Sequence, residues 1–130
     1  MGAPVSEQAD IHPDFLAAYD EAIDSIPAKT LAKLENVIID FAFEPSPAQR
    51  EQFCRGELMG LYVGTPLTRR SPMSYGFAQM PDRIWIFLGP IMRVANGDHE
   101  AAVARIRQVV LHEIGHYFGL DDARLAELGY

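Results

Sequence analysis

The apolar positions of the chain fall into two periodicities, and their order predicts its elements. From Pro13 to Ile26, Phe15, Tyr19, Ala22 and Ile26 recur at helical spacing with Leu16 and Ile23 beside them, which predicts an amphipathic helix. Pro13 suits the first turn, where its missing N–H is not needed, and Pro27 stops the helix. Lys29 to Leu34 adds one or two further turns. At Val37 the period changes to two. Val37, Ile39, Phe41 and Phe43 alternate with Ile38, Asp40 and Ala42, a strand that Pro45 and Pro47 end. Ala48 to Cys54 reads as a short helix and Leu58 to Val63 as a second strand.

Gly64 to Asp82 carries prolines, glycines, serines and threonines without a period. An irregular stretch of that length in a small domain is usually functional or mobile. Arg83 to Leu88 (RIWIFL) is an almost wholly apolar third strand, closed by Gly89-Pro90, and Asn96-Gly97 marks another turn. Two-sided apolarity suits a central core strand as well as an edge on which an extended peptide could pair. Asp98 is placed to cap a long helix from His99 to Phe118, Gly119 supplies its exit, and Asp122 to Leu128 forms a last short helix. Three strands set among several helices, with no repeat or linker, predict one α+β domain over residues 1–130.

Composition narrows the function classes. The chain has 130 residues, 48% of them apolar, which excludes disorder and fits one domain. Eighteen acidic against eleven basic residues give a net charge of -7, and Arg69-Arg70 is the one adjacent basic pair, so nucleic acid is not an expected partner. The single cysteine, Cys54, excludes an intrachain disulfide and suits a reducing compartment. Met1 to Asp10 has no secretory pattern, and no run is long enough to cross a bilayer. Met1-Gly2 with Ser6 matches a myristoylation pattern only formally. A soluble, cytoplasmic protein with no membrane partner is expected.

One motif carries chemistry. His112 to His116 reads HEIGH, and with Gly119 and Asp122 it extends to H-E-x-x-H-x-x-G-x-x-D. At about 100° per residue, His112, His116 and Glu113 fall within about a quarter of the helix surface. Two imidazoles one turn apart can converge on one ion, with the carboxylate beside it. Val103, Ile106, Val110, Leu111, Ile114, Tyr117 and Phe118 occupy a separate core face, and Gly115 would let neighbouring backbone come close. A chain reversal at Gly119 would return Asp122 as a third ligand, with Asp121 adjoining it as the other choice. A His₂-carboxylate set leaves a fourth position open, the arrangement of catalytic rather than structural zinc.

With these residues the sequence resembles the minimal zincins, small bacterial zincin-like metallopeptidase domains with an HExxHxxGxxD motif. Leu58-Met59-Gly60-Leu61-Tyr62 with Gly64 and Pro66, then Pro81-Asp82-Arg83-Ile84, then the motif helix and Asp122-Ala123-Arg124-Leu125 carry the resemblance over most of the chain. It implies a small mixed sheet packed beside the motif helix, one zinc held by His112, His116 and Asp122, and Glu113 as catalytic base. It also implies a peptide or protein substrate, hydrolysed through a metal-activated water. The motif is similar to that of metzincins, but those end in His and continue to a methionine turn, and no methionine follows the motif here. The competing reading is a non-catalytic zinc-binding interaction module. Tyr130, Tyr75 or an arginine of the Gly64–Asp82 stretch are the candidates for stabilising an oxyanion. His12 and His99 sit at helix starts, Trp85 and Phe87 read as packing, and Cys54 has no histidine placed to activate it.

Overall fold

A computed structural model describes residues 12–53, 57–64 and 81–130. Helix α1 spans Pro13–Asp24, α2 Ala28–Leu31, strand β1 Val37–Ala42 and α3 Pro47–Phe53. Strand β2 spans Gly60–Val63, β3 Asp82–Phe87, α4 Leu88–Val94, α5 His99–Tyr117 and α6 Asp122–Glu127. The architecture is mixed α+β, as the order of periodicities predicts. Among the described residues no helix is long and apolar enough to cross a membrane.

The strands form one mixed sheet in the order β1-β3-β2, with β1 parallel and β2 antiparallel to β3. β3 is therefore the central strand, and the edge reading of RIWIFL is overturned. Its side chains are apolar on both faces because both faces are covered. Ile84 and Ile86 are fully buried under α1 and α5, among Ala18, Ala22, Ile106 and Val110. On the opposite face Phe87 packs with Ala42 and Leu61, and Trp85 leans on that cluster. Among the described residues the outer strands of the sheet are β1 and β2.

The strand ends at Phe87 rather than Leu88, and Leu88, Gly89 and Pro90 open α4, a helix the sequence pattern does not predict. Pro90 is its third residue, where a missing N–H costs nothing because first-turn N–H groups have no helical acceptor. Gly89 donates its N–H to the Phe43 carbonyl at 2.7 Å. A Cβ there would lie 2.8 Å from the same carbonyl oxygen, so α4 meets the end of β1 backbone to backbone.

The motif helix α5 is fixed at both ends by the residues expected to fix it. The Asp98 carboxylate accepts from the Ala101 N–H at 2.8 Å. At the other end the Leu120 N–H reaches the Gly115 carbonyl at 3.0 Å and the Gly119 N–H reaches that of His116 at 2.9 Å, with Gly119 at φ +89°. This pair of bonds around a left-handed glycine reverses the chain. His12 caps α1 by accepting from the Asp14 N–H at 3.1 Å, and His99 meets Glu21 at 2.6 Å, tying α5 to α1. Tyr117 is fully buried, and its hydroxyl accepts from the Glu35 N–H at 3.1 Å.

Candidate metal centre

His112 and His116 project from the last turns of α5, both half-buried, with their Nε2 atoms 3.2 Å apart. The reversal at Gly119 returns the chain so that α6 begins beside them. Asp122 Oδ1 lies 3.2 Å from His112 Nε2 and 3.1 Å from His116 Nε2. The three atoms make a nearly equilateral triangle. Ligands bound tetrahedrally at about 2.0 Å stand about 3.3 Å apart, so the triangle fits a small tetrahedral cation. His116 Nδ1 is 3.0 Å from the Leu120 carbonyl, which can only accept, so Nδ1 carries the proton and Nε2 presents its lone pair to the triangle. One turn thus supplies both the returning aspartate and the carbonyl that sets the histidine tautomer.

The two adjacent acids separate in role. Asp121 accepts from the Arg124 N–H at 2.8 Å and caps α6, while Asp122 faces the imidazoles. Gly115 does not admit backbone, as its spacing suggested. A Cβ on it would lie 2.3 Å from Leu125 Cδ2, so the glycine makes room for the buried leucine that docks α6. Gly60 of β2 makes room in the same way, for side chains of α5: a Cβ there would lie 2.4 Å from Val109 Cγ1 and 3.3 Å from Glu113 Cγ.

That packing seats Glu113. The residue is 7% exposed, and with His112 and His116 it forms a group of potential ligand atoms within 4.8 Å of one another. Burial pushes its carboxyl above the ordinary range, while His116 and His112, when their rings are protonated, and a hydrogen bond from the Tyr62 backbone N–H pull it back. Its environment therefore suits a group that takes up and releases a proton. A cleft of about 240 Å³ opens at this point, lined by Met59, Gly60, Val109, His112, Glu113 and Tyr130 among others.

Of the residues singled out by the sequence, the fold brings His112, Glu113, His116 and Asp122 to one place and sets Tyr130 at the cleft. Tyr75, Arg69, Arg70 and Cys54 lie outside the described residues. Sequence reasoning missed Tyr62, whose contribution is a backbone N–H, and Arg105 and Gln108, which also line the cleft. Arg105 is legible in retrospect, since seven residues before His112 is two turns along the same helix face.

Residues 34–130 match a family model described as zincin-like metallopeptidase. A search of curated proteins gives no match. The family match runs from just before β1 to Tyr130, so it takes in the sheet, the motif helix and the returning α6, while α1 lies outside it.

Proposed function

The chain belongs to the zincin-like metallopeptidase family, and on that premise we propose that it is a zinc-dependent peptidase hydrolysing peptide bonds with Glu113 as general base. The observation that carries the reading is the triangle of His112 Nε2, His116 Nε2 and Asp122 Oδ1, 3.1–3.2 Å on each side, with a buried carboxylate next to it. These three residues would hold the ion, and two nitrogens with one carboxylate oxygen are a zinc donor set. When bound, zinc supplies a Lewis acid that acidifies water and polarises a peptide carbonyl.

The chain's own groups do the rest. Glu113, raised by burial, takes a proton from water and passes it to the departing amine, and the Tyr62 N–H holds the carboxylate in place between the two transfers. The wall formed by Gly60 keeps strand β2 against the helix at this point, so a substrate lying along β2 is brought beside Glu113. Tyr130 stands at the cleft as the candidate donor to a developing oxyanion.

The test is a zinc titration by calorimetry on chelator-stripped protein, followed by cleavage of a peptide library. One zinc should bind per chain, and Glu113→Gln should retain it while slowing cleavage by about 10²–10⁴-fold. Cleavage that survives Glu113→Gln overturns the reading.

A further inference from the structure

The cleft runs away from the metal triangle along α5, and its far end is basic. Arg105 and Gln108 line it together with His112 and Glu113, all on one face of the helix. Two turns separate Arg105 from His112, about 10.5 Å of helix rise. Arg105 is half-buried, and its Nη1 donates to Gln108 Oε1 at 3.2 Å.

What distinguishes this arginine is its company. Among the described residues, Arg50, Arg83, Arg93 and Arg124 each meet a carboxylate, at 2.6, 3.7, 2.7 and 2.8 Å. Arg107 is exposed on the other side of α5. Among the described residues Arg105 is the one cation lining the cleft, and its printed partner is a neutral amide that orients it without neutralising it. In a chain of net charge -7 such a group is conspicuous, because carboxylates to pair with it are abundant. A guanidinium presents a planar set of donors matched to a carboxylate, and between the apolar walls of Met59 and Val109 that pairing is less screened than at an open surface.

We propose that this cleft is a carboxylate-reading subsite, in which Arg105 selects peptides that carry a carboxylate within about three residues of the bond to be cut, at about 3.3 Å per extended residue. Met59 and Val109 take the aliphatic part of the bound residue, and Gln108 holds the guanidinium toward it. The carboxylate belongs either to an acidic side chain or to a free chain terminus. The inference rests on the peptidase reading for its substrate but not for its recognition step, which binding alone can report.

The experiment uses the zinc-loaded full chain and four matched peptide pools of degenerate apolar sequence. Two are blocked at both ends and carry one internal Glu or one Gln; two lack acidic residues and end in a free acid or an amide. Cleavage is followed with wild type, Arg105→Gln and Arg105→Lys, and binding of the same pools is followed by calorimetry on Glu113→Gln with and without Arg105→Gln. Wild type should favour one carboxylate pool over its neutral match by roughly 10–100-fold, and Arg105→Gln should abolish that preference. Preference for the Glu pool identifies a side-chain carboxylate, and preference for the free-acid pool a terminal one. Arg105→Lys should restore only part of the preference, because an ammonium lacks the planar fork. Failure to cleave any pool, with Arg105-dependent carboxylate binding retained, would sink the peptidase reading and leave the subsite standing. Equal binding of carboxylate and neutral pools, or a preference indifferent to Arg105→Gln, would overturn the subsite.

Discussion

Leu125 occupies the space that a side chain on Gly115 would need: a Cβ there would sit 2.3 Å from Leu125 Cδ2. The bare backbone of the motif helix is thus the seat of the leucine that docks α6, and α6 begins with Asp122. Gly115→Ala gains about 1 kcal/mol of helix propensity but must push a fully buried leucine outward. The expected outcome is a fold of near-unchanged stability whose zinc affinity falls at least tenfold, because Asp122 is carried away from the imidazoles. Calorimetry beside a thermal melt checks this, and unchanged affinity would show that α6 docks without Leu125.

Asp121 and Asp122 should part cleanly on substitution. Asp122→Ala removes the atom 3.1–3.2 Å from both imidazoles and should weaken zinc by more than the 10–100-fold typical of an outer-shell change. Asp121→Ala removes the cap on the Arg124 N–H and should cost about 1 kcal/mol of stability with zinc affinity little altered. Chelator competition read for both variants decides between them. The reverse ranking would make Asp121 the ligand.

Gly89 should tolerate no side chain. An alanine Cβ would lie 2.8 Å from the Phe43 carbonyl oxygen, which is backbone and cannot turn aside. Gly89→Ala should therefore destabilise by about 1–3 kcal/mol, in the range of overpacked sites. Urea unfolding measures it, and a loss under 0.5 kcal/mol would mean that α4 shifts freely against β1.

Alkaline pH should weaken the fold through Tyr19. Burial first, then the negative charges of Asp40 and Asp20, hold its phenol above the ordinary range near 10. The folded state keeps its proton where the unfolded chain loses it. The stabilisation linked to that proton is complete below the unfolded value and lost as the pH rises past it. Unfolding free energy should begin to fall near pH 10 and go on falling above it in wild type, and fall less in Tyr19→Phe. Parallel curves for the two proteins would count against it.

The motif was legible because its members are local. His112, Glu113, His116, Gly119 and Asp122 belong to one helix and the turn after it, and helical arithmetic alone puts the first three together. Asp98 and Gly119 announced the ends of that helix by capping chemistry. What escaped was decided by distant contact. Whether RIWIFL is central or an edge depends on which strands flank it, and β1 joins it only across a long intervening stretch. The Gly89-Pro90 pair looked like a full stop because local propensity does not know that a first helical turn forgives proline. Tyr62 holds Glu113 through a main-chain group that no side-chain pattern advertises. Gly60 and Gly115 both make room for side chains of other elements, Val109 and Leu125, which only the assembled fold brings there.

The hydrogen bond from the Tyr62 N–H to Glu113 has a consequence for how the site is assembled from the chain. All three candidate ligand atoms come from adjacent stretches of chain, so they can gather with little loop-closure entropy. The seat of Glu113 also needs the main chain of β2, which lies far from the motif in sequence and pairs with β3, so it carries a larger loop-closure cost. On the peptidase reading, the ligand triangle is therefore the local part of the site and the seat of the base the part that the sheet completes.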